Sequence, residues 1–221
     1  MPIDLRGPDA AFAFFHAEVP DTVLAGIADC VIGGYRHARE QLMASGLGSC
    51  QLHDVAATFR RSHIEANLEQ LHQFLPYVTA RVEQNKAANS FHVEVACNRV
   101  VITCSKVDSP ACAIPDAEYR RTLARSCQLS LWETEEPTDA VEPLLWSVVI
   151  HGASEWLASA PDFLHVVFPL EDGTYYRSID LYRRLPQLRA IPVQTEVEDI
   201  PAEADVRLRP TARMSRNNEG S

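Results

Sequence analysis

His165, Ser178 and Asp180 are the residue types of a base, a nucleophile and an orienting acid. Acyl-transfer chemistry needs such a set aligned in that chain of hydrogen bonds. A hairpin over residues 162–184 would gather them. Two apolar runs flank Asp172-Gly173, a strong signal for a two-residue type I′ turn. That turn predicts His165 opposite Asp180, with cross-strand side chains about 5 Å apart. Val167 then faces Ser178, Pro169 faces Tyr176 and Phe163 faces Tyr182. The other face pairs Leu164 with Leu181, Val166 with Ile179, Phe168 with Arg177, Leu170 with Tyr175 and Glu171 with Thr174. Its apolar partners make it the expected core face, because a slip of one residue would exchange the two faces. Pro169 cannot donate to a ladder, so its strand is either an edge or bulged there. The trio would lie flat on a sheet, without a strand-to-helix elbow or an evident oxyanion hole. A His–Asp hydrogen bond on a polar sheet face accounts for the same residues.

Other constellations are less complete. His92-Val93-Glu94 is the HxE half of a zinc-deaminase signature, but the PCxxC half is missing and the segment is strand-like. Glu94 with Lys106 has the residue types of a metal-dependent nuclease without the required spacing. Glu69-x-x-His72 is one Glu-x-x-His step, where a di-iron bundle needs two and further carboxylates. Neither HExxH nor a phosphate-cradling GxGxxG or GxxxxGK[ST] occurs. No metal or cofactor is therefore expected. Arg120, Arg121 and Arg125, with Arg183 and Arg184, would form an anion-binding patch if their helix packed beside the hairpin; otherwise they are surface arginines.

The 221 residues carry a formal net charge of −10, which argues against non-specific nucleic-acid binding. With 46% hydrophobic and 23% charged residues, the composition is that of an ordinary soluble globular chain. Lys86 and Lys106 are the only lysines, an Arg bias that fits a GC-rich genome. The first residues lack the pattern of a signal peptide, and no stretch approaches a membrane span. The six cysteines contain no CxxC pair and are expected as free thiols in a reducing cytoplasm.

The positioning elements follow from periodicity. Helices are predicted over residues 8–18, from an Asp21 N-cap to Gly46, and over 53–74, with a short continuation over 77–85. Gly33-Gly34 marks a kink or a close helix contact, or is simply tolerated in the helix at about 1 kcal/mol per Gly. In residues 90–107, a turn at Cys97-Asn98 would pair Val95 with Val100, Val93 with Ile102 and Phe91 with Cys104. Asp116 is expected to cap a short helix through Tyr119, Leu123 and Ala124. Residues 128–132 are expected as a strand, and 133–142 as an acidic loop. Residues 144–151 are apolar on both faces and predict a central strand. Residues 152–161 have room for one helical turn.

The expected fold is α+β: an N-terminal helical layer packed on a mainly antiparallel sheet of five or six strands. A single domain is expected over 10–190, helical over 10–88 and sheet over 90–188, followed by a disordered tail over 191–221. The expected function is that of a cytoplasmic bacterial binding or regulatory protein acting through a protein partner. A toxin–antitoxin or phage-defence component would fit. The alternative is a hydrolase using His165 and Asp180, or a nuclease using Glu94. Composition gives no oligomeric state.

Overall fold

A computed structural model describes residues 8–84, 91–132 and 145–189. The chain is α+β. Three helices, α1 (Pro8–Glu18), α2 (Asp21–Ala44) and α3 (Ser49–Glu69), precede a six-stranded sheet. The strands are β1 (Val78–Gln84), β2 (Phe91–Cys97), β3 (Val100–Lys106), β4 (Leu145–Gly152), β5 (Phe163–Pro169) and β6 (Tyr175–Asp180), in that spatial order. Neighbours are antiparallel except β3 and β4, which run parallel with α4 (Glu118–Trp132) between them in sequence. A short α5 (Leu181–Arg184) follows β6 directly.

α2 forms because its apolar residues recur every three or four positions. Val23, Leu24, Ile27, Val31, Tyr35 and Leu42 are all buried. Pro20, not Asp21, occupies the N-cap, and the Asp21 carboxylate instead accepts from Arg184 Nε at 2.7 Å. The helix stops where Gly46 adopts a φ of +70°, the left-handed conformation that glycine enters without steric cost. Gly34 is a close contact: a Cβ there would stand 2.8 Å from the Ile64 backbone nitrogen of α3.

One face of the sheet meets the helices. Val93, Val95, Ile102, Val149, Leu164, Val166 and Phe168 join α1, α2 and α3 side chains in one core. The opposite face is smaller: Val101, Trp146, Val148, Ile150 and Val167 pack with Ala124 of α4 and with Ile114. β4 is buried at every position, as its two apolar faces predict for a central strand.

Several expected boundaries change. Residues 78–84 form strand β1 rather than a helical continuation, so the helical part ends earlier than residue 88. Residues 128–132 complete α4 rather than forming a strand. The β2–β3 turn is Asn98-Arg99, with Asn98 at φ +50°, pairing Cys97 with Val100 and Val95 with Ile102. Val93, Val95, Val100, Ile102 and Cys104 still pack in the core, whereas Phe91, expected on the same face, is 55% exposed. Residues 153–161 form turns and bends without a helical turn. The expected acidic loop and the expected tail lie outside the described residues.

The β5–β6 hairpin keeps its predicted register far from the turn: His165 pairs with Asp180, Val166 with Ile179 and Val167 with Ser178. The turn itself is one residue longer. Gly173 N donates to Leu170 O at 3.0 Å and Leu170 N to Thr174 O at 2.7 Å, so Glu171, Asp172 and Gly173 form a three-residue loop. Pro169 consequently pairs with Tyr175, and Tyr176 and Arg177 together oppose Phe168. This bulge restores the register beside the residue that lacks an N–H. The extra residue lies in β6, opposite Phe168, and β5 itself is not an edge, lying between β4 and β6. Leu181 and Tyr182 turn into α5 instead of extending the ladder.

Candidate functional site

The sheet does set His165 opposite Asp180. They do not work as a pair. Asp180 is the N-cap of α5, its carboxylate accepting from Arg183 N at 3.1 Å. His165 Nδ1 is buried without a hydrogen-bond partner, its ring edge-on to Phe163. Burial holds its pKa below the usual histidine value, with Asp180 pulling in the opposite direction. Ser178 is exposed on β6. No hydrogen bond links the three, so the nucleophile–base contact is missing in this arrangement.

The five arginines fall into two groups. Arg120, Arg121 and Arg125 lie on α4 near the β5–β6 turn. Arg121 pairs with Asp116 at 2.6 Å and Arg125 Nε with Glu171 at 2.6 Å. A shallow cleft there is lined by Asp116 and Glu171 as well as Arg120 and Arg121, so it presents both signs of charge. Arg184 lies far away in sequence and contacts, bound to Asp21 and His16. Arg183 is exposed. A single anion patch is not formed.

His92 and Glu94 are brought together by strand alternation, with Nε2 and Oε1 3.2 Å apart. The His92 ring stacks on Tyr119 of α4 at 3.6 Å between centroids, and Arg120 Nε donates to the Tyr119 hydroxyl at 2.9 Å. From the other face α3 delivers Glu65, whose carboxylate accepts from Val93 N at 2.6 Å. Burial raises the Glu65 pKa, against the Val93 hydrogen bond and the positive charge of Arg61. The paired β2–β3 ladder spans only Val95–Cys97, so Glu65 supplies an acceptor where the ladder has ended.

A second buried polar group has no counterpart in the sequence reading. Tyr35 OH and His151 Nδ1 share a hydrogen bond of 3.0 Å between α2 and β4. Arg60 of α3 is 7% exposed, and its guanidinium lies over the Tyr35 ring at 5.1 Å. Its Nε donates to Ala56 O at 3.4 Å, while Nη1 is buried and unpartnered. Desolvation, with the charges of Arg60 and Lys106, pushes the His151 pKa down to about 3, so the ring is neutral near pH 7. A signal for Arg60 did exist: it replaces an apolar residue in the strict four-residue stripe Leu52, Ala56, Arg60, Ile64, Leu68.

Glu69 and His72 are both exposed, and the His72 ring contacts the Glu69 carbonyl. Among the described residues no group of three or more His, Cys, Asp or Glu is placed to hold a metal ion. Nor is any described helix long and apolar enough to cross a membrane. No protein-family model, curated protein or solved structure matches the chain.

Proposed function

We propose that the chain is a binding protein that receives an extended segment of a protein partner along β1. The observation that carries this reading is the outer edge of β1, beside which no described strand lies. Among the described residues β1 pairs only with β2, and six of its seven positions are not buried. It pairs with β2 without interruption from Val78 to Gln84, and contains neither proline nor lysine, the usual devices that blunt an edge. Its backbone N–H and C=O groups suit strand addition. Val82 and Phe91, 47% and 55% exposed, are diagonal neighbours across β1 and β2 and give an incoming apolar side chain a seat. Tyr77 and Phe74 are exposed beyond the other end of the strand. The net charge of −10 favours a basic partner carrying alternate apolar residues. The unpaired thiols and the Arg-rich composition support a bacterial cytoplasmic setting.

The test is hydrogen exchange on the full chain with the protein that co-purifies from its host. Slowed exchange of the β1 amides, lost together with binding in Val82→Lys and Phe91→Asp, is the expected result. Equal binding by both variants, or protection only elsewhere, would overturn the reading. A symmetric dimer protecting β1 would replace the partner with a second copy of this chain.

A further inference from the structure

The buried guanidinium of Arg60 has no counter-ion among the described residues. A charge removed from water is costly unless it is paired and hydrogen-bonded, so buried arginines ordinarily meet carboxylates. Among the described residues Arg60 forms no ion pair, and Nη1 is buried without an acceptor. The groups around it compensate only in part. The Tyr35 ring offers its face, and the Ala56 carbonyl accepts a 3.4 Å bond already within the same helical turn. Two carboxylates are engaged with backbone donors instead: Glu65 of the same helix accepts from Val93 N at 2.6 Å, and Asp162 Oδ2 accepts from Ser154 N at 2.7 Å. His151 adds no negative charge.

An irregular segment packs beside this part of α3. Residues 153–161 leave β4 and return to β5, tied at their ends by Asp162 N donating to Gly152 O at 2.8 Å. From this segment Trp156 and Leu157 pack against the small cluster of Leu42, Leu52 and Ala56, between α2 and the part of α3 that precedes Arg60. Tyr182 OH donates to Pro161 O at 2.9 Å on the far side. The segment contains no regular element; Ser154 and Glu155 are exposed, Pro161 is buried and the rest are half-buried. It is thus the part of the surroundings of Arg60 that can move without breaking a helix or a ladder.

We infer that Arg60, with the Tyr35 hydroxyl and the neutral ring of His151, forms a binding site for a small oxyanion, the carboxylate or phosphate headgroup of a ligand that enters beneath residues 153–161. Guanidinium is suited to such groups because its planar fork meets two oxygens at once. Tyr35 OH and His151 Nδ1 share one hydrogen bond, so the pair offers the ligand one further donor: Nε2–H of the neutral ring when the hydroxyl donates to Nδ1, or the hydroxyl when Nδ1–H donates to it. The Trp156–Leu157 wall supplies apolar cover beside the headgroup.

The test uses the full chain, with inorganic phosphate, acetate and succinate as probes and chloride held at equal ionic strength. At about one hundred times the dissociation constant, a binding anion is expected to raise Tm by roughly 5–10 °C. The same titration is expected to shift the His151 ring nitrogen resonances saturably. Arg60→Met is expected to lose both responses, and Arg60→Lys to retain a weaker one. Response to phosphate alone assigns a phosphate ligand; response to acetate or succinate alone assigns a carboxylate. No saturable shift at His151 with any probe, or the same shift in Arg60→Met, would overturn the site. Should Arg60→Met fail to fold, the wild-type His151 titration decides by itself.

Discussion

The Glu65 carboxylate accepts the Val93 backbone N–H at 2.6 Å, beyond the point where β2 and β3 cease to pair. A side chain of α3 thereby does the work of a strand carbonyl. Because burial raises its pKa above 4.5, the folded chain holds this proton more tightly than the unfolded one. Its stabilising contribution is full below about pH 4.5 and is lost as pH rises through the raised value. Glu65→Gln keeps an acceptor and is expected to remove that slope. Glu65→Ala orphans the Val93 N–H and is expected to cost about 1–3 kcal/mol. Urea unfolding at several pH values measures both; an unchanged slope in Glu65→Gln would refute the assignment.

His151 contributes a slope of the opposite sign. Its pKa falls from 6.5 to about 3 on folding, so its contribution is present above 6.5 and is lost as pH drops toward 3. The slope is about 1.4 kcal/mol per pH unit within that window. The Glu65 and His151 effects oppose one another from about pH 4.5 upward, as far as the raised Glu65 value within the His151 window, so there the wild-type profile should be flatter than that of either variant. His151→Gln is expected to unmask a loss of stability with rising pH. A profile that steepens in the acid direction instead would show that His151 is not buried neutral.

Adjacent glycines of α2 should answer differently to alanine. At Gly34 the new methyl meets backbone atoms of Ile64, which cannot move without separating two helices, and a loss of about 1–3 kcal/mol is expected. At Gly33 it meets only Asn67 Nδ2 at 3.3 Å, the end of a side chain. Gly33→Ala should be neutral or gain up to about 1 kcal/mol from helix propensity. Thermal unfolding of the two variants checks the contrast, and equal losses would deny the close contact.

Asp180 and His165 are expected to be energetically independent. Asp180→Ala removes the α5 cap and should cost about 1 kcal/mol. The double variant with His165→Ala should add to within about 0.5 kcal/mol. A larger coupling in the cycle would restore the His–Asp pair. Partner binding in the His165→Ala chain should be unchanged.

Much of this architecture was legible because turn chemistry and periodicity agreed. The α1 bounds, the buried β4 and the far register of β5–β6 all follow from spacing alone. β1 was hidden because Val78 and Val82 are four apart, a separation that fits one face of either a strand or a helix. Leu129 and Leu131 alternate like a strand, yet they complete a helix already begun at Glu118. The three-residue turn was missed because Gly173 serves a left-handed position in either loop length. Its carbonyl also accepts from Ile114 N at 2.9 Å, a long-range tie that no local rule contains. The polar groups were harder. Arg60, Tyr35 and His151 come from α3, α2 and β4, and only tertiary packing joins them.

The single parallel pairing of β3 with β4 has a kinetic meaning. Hairpins β1–β2, β2–β3 and β5–β6 close short loops, whereas Val100 must find Leu145, 45 positions away (145 − 100). Local pairings can form within microseconds, but closure of the long loop spends chain entropy before any contact rewards it. The seam between β3 and β4 is therefore the expected bottleneck of refolding. Truncations such as Val149→Ala should slow folding, while changes at the Asp172 turn should mainly hasten unfolding, as chevron plots of the two would separate.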